Sequence, residues 1–158
     1  MKNQNSTNDI YIFFDTEAGL YHVSKKNGKE IYSYEFRFDN DGYFDWFILS
    51  YSFGVGIEFE IYNYGKKDKI FFRYTNYDIN PLLRTEIMIE EEDILDELNS
   101  KTLNDFHVKK EEILEKDLRY IAINIIDFVD EKLEHRFHDI LNRLREALLR
   151  EESLSKNQ

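Results

Sequence analysis

Glu131, His135 and His138 stand at i, i+4 and i+7, a spacing that on a continuous helix puts two imidazoles and a carboxylate on one face. Such a donor set could hold a divalent cation. No His-Glu-x-x-His pattern accompanies them, no fourth ligand stands nearby in sequence, and Lys132 and Arg136 flank them. They are read as part of a solvated helix face, and neither a metal nor a cofactor is expected. Asp39-Asn40-Asp41-Gly42 resembles part of a calcium loop. An EF-hand would need an acid where Arg37 stands and a glutamate where Ile48 stands. Both are missing, so the segment is expected to be a hairpin turn. Gly54-Val55-Gly56 lacks the third glycine and the following helix of a dinucleotide fingerprint. The chain has no cysteine, which excludes disulfides, thiolate metal sites and thiol catalysis. No catalytic residues can be named, and the chain is expected not to be an enzyme.

The strongest chemical signal is electrostatic. Glu90, Glu91, Glu92, Asp93, Asp96 and Glu97 place six carboxylates in eight residues. Residues 81–108 hold 8 acids and 2 bases and supply more than half of the formal net charge of −11. A local negative field favours a basic partner and repels nucleic acid. The segment has a plain reading, a solvated helix start whose acids complement the positive helix N-terminus. It also has a sharper one, a docking surface for an Arg/Lys-rich groove, with charge-assisted pairs fixing the contact.

The second signal is aromatic: 13 Phe and 11 Tyr in 158 residues. Aromatic strands can stack bases, but nucleic-acid sheets also need basic side chains around the aromatics. Here the polar strand faces carry Glu35, Glu58 and Glu60, so direct nucleic-acid binding is not expected. Tyr62, Tyr64, Tyr74 and Tyr77 are instead taken as exposed anchors for a protein partner, a role that tyrosine favours.

These signals lead to one functional expectation and one alternative. The expectation is a small acidic protein-binding inhibitor of a basic, nucleic-acid-handling enzyme, of the phage anti-defence type (anti-CRISPR or anti-restriction) or a nuclease-toxin immunity protein. It would act by steric or electrostatic occlusion in the cytoplasm. The alternative is a non-enzymatic structural or adaptor protein that oligomerises through its C-terminal helix. No apolar run approaches the roughly 18 residues of a membrane span, and no membrane partner is expected.

The elements that must position these residues are legible from periodicity. Residues 9–90 read as an antiparallel β-meander of five to seven strands, with turns every 11–14 residues and no helix between them. Asn27-Gly28 marks a hairpin. In Glu30–Phe38, Tyr32, Tyr34, Phe36 and Phe38 share one face, whereas Ser33, Glu35 and Arg37 share the other. Tyr43–Phe53 is apolar on both faces, as suits a central strand. Residues 91–152 read as a helical part packing on the sheet: a short acidic helix at Glu91–Asn99, a connection, and a long amphipathic helix from Lys110. The apolar stripe Leu114, Leu118, Ile121, Ile125 and Phe128 continues as Val129, Leu133, Phe137, Ile140, Leu144 and Leu148. It slips near 130–134, where either a stutter or a break could fall; with no Pro or Gly there, one helix is favoured. A helix of about 40 residues would span about 60 Å, more than one such sheet covers, which makes a homodimer a further expectation. The fold class is therefore α+β in one domain, 1–158, with termini 1–8 and 153–158 frayed.

Overall fold

A computed structural model describes residues 8–15, 17–63, 69–92, 94–106 and 113–156, with the backbone alone at 8, 101–106 and 152–156. The chain is α+β: seven antiparallel strands are followed by helices. It divides into two compact units, Met1–Leu95 and Asp96–Gln158.

The first unit is a meander in which sequence order equals spatial order: β1 (Asn8–Asp15), β2 (Leu20–Asn27), β3 (Glu30–Phe38), β4 (Phe44–Phe53), β5 (Ile57–Asn63), β6 (Lys69–Asn76) and β7 (Leu83–Glu90). Short turns dictate this, because a two- to six-residue connection can only return the chain antiparallel beside itself. Between β2 and β3 the two-residue loop is Gly28-Lys29, and the positive φ of 64° falls on Gly28. Between β3 and β4, Asp39 Oδ1 accepts the backbone N–H of Asp41 at 2.9 Å and of Tyr43 at 3.0 Å. This carboxylate closes a turn rather than a calcium loop, as expected.

Alternation along the strands carries the core. Register aligns Val23, Tyr34, Leu49, Ile61 and Phe72 across five strands, and all are buried. Beside that row, Tyr21, Phe36 and Phe47 pair in the same way and are equally buried. Tyr32, Tyr34, Phe36 and Phe38 share the buried face as their period predicts. A bulge between Arg37 and Phe38 sets Phe38 against Phe44 and brings Phe44 to the face of Phe47. β4 is the middle strand of the seven; its second face, with Trp46 and Ile48, is half-buried.

After β7, α1 runs Ile94–Phe106, its first two residues belonging to the first unit, and the second unit holds the rest of it with α2 (Glu115–Lys132) and α3 (His138–Lys156). The short acidic helix begins later than its acids suggest. Glu90 closes β7, Glu91 and Glu92 precede the helix, and Asp96 and Glu97 alone occupy its first turn. Helix also continues through the stretch expected as a connection, to Phe106. At the start of α2, the Asp117 carboxylate accepts the Leu114 N–H at 3.3 Å, the reciprocal half of a capping box.

The apolar stripe is buried at Leu118, Ile121, Ile125, Phe128, Val129, Leu133, Leu144 and Leu148, while Leu114, at the cap, is exposed. Of the two readings near 130–134, the broken one is found, so no 40-residue helix exists. α2 ends in a Schellman motif: the His135 N–H donates to Asp130 C=O at 2.9 Å, and the Glu134 N–H to Glu131 C=O at 2.9 Å. Glu134 and His135 sit at φ of 55° and 60°, a region that usually calls for glycine. Helices of 18 and 19 residues are about 27 and 28 Å long. They pack on each other, with Arg145 Nε donating to Asp127 Oδ1 at 2.9 Å. The length argument for a partner chain therefore lapses. No helix among the described residues is long and apolar enough to cross a membrane.

Candidate functional site

Among the described residues, three regions bear on the sites expected from the sequence. The first is the reversal between α2 and α3. The last turn of α2 supplies Asp130, the left-handed step supplies His135, and the first residue of α3 supplies His138. Asp130 Oδ2 lies 3.1 Å from His135 Nδ1 and 2.8 Å from His138 Nδ1, and the three ligand-capable atoms all lie within 4.8 Å of one another. The carboxylate side chain is 12% exposed, whereas the two imidazoles are 67% and 54% exposed. Asp130 Oδ1 is buried without a hydrogen-bond partner. The hydrogen bond to Asp130 raises the His138 pKa above its ordinary value, and the carboxylate's charge adds to the effect. A cavity of about 250 Å³ adjoins the cluster, lined by Asp127, Asp130, His138, Asn142 and Arg145 with Ile126 and Leu141.

This arrangement corrects the helical-face expectation. His135 and His138 do converge on a carboxylate, but it is that of Asp130 and not of Glu131, which is exposed outside the cluster. The i, i+4, i+7 arithmetic holds only on an unbroken helix; the reversal turns the histidines onto the neighbouring acid.

The second region is the surface of two turns. The Tyr77 N–H donates to Gly56 C=O at 2.7 Å, joining the turn after β6 to the turn after β4. The approach is so close that a Cβ added at Gly56 would stand 2.6 Å from Asp78 Oδ2. Val55, at the tip between two glycines, is 88% exposed. Tyr77, Ile79, Leu82 and Leu83 are exposed beyond it. Tyr77 donates its hydroxyl to Glu58 Oε1 at 2.7 Å, and this bond raises its pKa. A large apolar side chain set between two turn glycines is the signal of this surface that Gly54-Val55-Gly56 carries in the sequence, beside the dinucleotide fingerprint that it lacks.

Of the other expected tyrosine anchors, Tyr62 and Tyr74 are buried rather than exposed. Tyr62 stacks on Phe71 with ring centroids 5.1 Å apart, and its hydroxyl donates to Glu86 Oε2 at 2.9 Å. Burial, then the bond to Glu86, raises its pKa. Tyr74 takes part in the core face, where its hydroxyl accepts from Asn76 Nδ2 at 3.1 Å. Tyr64 lies outside the described residues.

The acidic segment is the third region. Glu90 lies 3.6 Å from Lys69 Nζ and is partly neutralised. Glu92 and Asp96 are exposed, Glu91 and Glu97 are half-buried, and Asp93 lies outside the described residues. The outer face of the sheet carries a depression of about 250 Å³ lined by Ser50, Ser52, Glu58, Glu60, Arg73 and Thr75 among others. Arg73 there lies 3.7 Å from Glu60 and 3.1 Å from Glu86.

No family model, curated protein or solved structure matches this chain.

Proposed function

We propose that this is a non-enzymatic binding protein that inhibits a basic, nucleic-acid-handling enzyme, as an anti-defence or nuclease-immunity protein would. The observation that carries the reading is the joined turn surface around Val55 and Tyr77, where several large apolar side chains stand in water on a chain of net charge −11. Contiguous exposed apolar groups are characteristic of interaction sites. Aromatic anchors such as Tyr77 supply binding energy once desolvated, and acid excess speeds approach to a cationic surface without adding much affinity. Glu92 and Asp96, both exposed, serve that steering role.

The test is DNA cleavage by a panel of purified RNA-guided nucleases and restriction enzymes, with and without the chain. Inhibition of at least one member is expected. Val55→Asp and Tyr77→Ala should each cost about 2 kcal/mol of binding to that enzyme, about 30-fold in Kd. Charge reversal at Glu91, Glu92 and Asp96 should slow association at low salt and matter less at high salt. If a large molar excess of the chain leaves every enzyme in the panel uninhibited, the reading fails.

A second reading, a self-associating adaptor, is favoured by β1 rather than by the C-terminal helix. β1 is an edge strand in which Ile10, Tyr11, Ile12, Phe13 and Phe14 are all 40% or more exposed. A long apolar edge of this kind is a template for pairing with another strand.

A further inference from the structure

We propose that Asp130, His135 and His138 bind one first-row divalent cation of the zinc type at the reversal between α2 and α3. The proposal is independent of the partner reading and uses none of its residues. Two ring nitrogens, one from the left-handed step and one from the first residue of α3, converge on a single carboxylate oxygen of α2 at 3.1 and 2.8 Å. Ligands at about 2.0–2.1 Å around a tetrahedral zinc stand about 3.3 Å apart. The observed separations fall short of that by a few tenths of an ångström. Rotation of the two exposed imidazoles closes the difference, while the buried carboxylate stays in place.

Three further observations favour a cation. Asp130 is 8% exposed, and its Oδ1 has no hydrogen-bond partner, so the buried carboxylate is poorly compensated, and a positive ion held at Oδ2 would offset its charge. Glu134 and His135 both adopt left-handed backbone without being glycine, at a cost of about 1–2 kcal/mol each. The Schellman motif holds both residues there, and strained positions of this kind cluster at functional sites. Third, the adjoining cavity of about 250 Å³ has room for water at a fourth position. The donors are imidazole and carboxylate with no thiolate, which suits zinc, nickel or copper better than calcium or magnesium.

The experiment is calorimetric titration of the chelator-stripped full chain with zinc chloride, followed by Co²⁺ titration read by visible absorption. One saturable equivalent of zinc is expected, with the visible bands of a low-coordinate Co²⁺ site and no heat from Ca²⁺. His138→Ala and Asp130→Asn should each weaken zinc by more than the roughly 10- to 100-fold lost with an outer partner. Because Asp130→Asn could disturb the turn, His135→Ala provides a second variant with a solvent-facing side chain, and circular dichroism checks the fold of each. His22→Ala, on β2, should leave the isotherm unchanged. Absence of a saturable equivalent overturns the proposal. So does binding that survives both His135→Ala and His138→Ala, or binding that His22→Ala removes.

Discussion

The Tyr62 hydroxyl donates to Glu86 Oε2 at 2.9 Å, reaching from β5 to β7 across the Arg73 of β6. Arg73 closes the triangle: Nε donates to the same carboxylate oxygen at 3.1 Å, and Nη2 donates to the Tyr62 hydroxyl at 2.8 Å. The guanidinium also stands 5.1 Å from the centre of the Tyr62 ring. An aromatic expected to meet a partner instead braces three strands.

This triangle makes stability sensitive to acid. Hydrogen bonds from Tyr62 and then Arg73 hold the Glu86 carboxyl below its ordinary pKa. A carboxylate whose folded pKa is depressed contributes stability above its unfolded value and loses that contribution as pH falls through the folded value. Stability should therefore decline below about pH 4.3, and less steeply in Glu86→Gln. Urea unfolding at stepped pH measures the difference. Parallel pH profiles for the two proteins would remove Glu86 from the account.

Glu134 occupies the C′ position of a Schellman motif at φ 55°. Glu134→Gly should relieve the left-handed strain and stabilise the chain by about 1 kcal/mol. On an unbroken helix the same change would destabilise by about the same amount. The sign of the shift in thermal unfolding thus reports the backbone path between α2 and α3.

Core and turn surface should differ sharply in their tolerance of substitution. Phe47 has no exposed surface, and Phe47→Ala should cost about 3–5 kcal/mol in denaturant unfolding. Val55→Asp, at the exposed tip, should stay within about 0.5 kcal/mol of the parent. A large loss of stability in Val55→Asp would mean that this residue serves folding rather than recognition.

Self-association through β1 predicts concentration-dependent mass in light scattering. Ile12 lies at the centre of the strand and is 43% exposed. Ile12→Lys should shift the population to monomer by placing charge on the edge. A parent chain that stays monomeric at high concentration ends this reading.

Five to seven antiparallel strands and most of their faces were legible because strand burial is local arithmetic: alternate side chains share a face, and Gly28, Asp39 and Gly42 announce the turns between them; the bulge beside Phe38, which turns Phe44 to the face of Phe47, has no such signal. The helical stripe was legible for the same reason at a different period. Which polar tips remain in water was not. Alternation assigns Tyr62 to a face, but Phe71 and Arg73, brought alongside by register, cover it.

The chain's amino-acid order therefore determined the antiparallel meander, its buried rows and the apolar seam of α2 and α3, since each depends on neighbours within a turn or a strand. Tertiary structure decided where the C-terminal helix reverses, because Glu134 takes up a conformation that no glycine or proline signals. By that reversal it also decided that His135 and His138 meet Asp130 and not Glu131. Side chains several residues apart come to share an atom only once the backbone between them has chosen its direction.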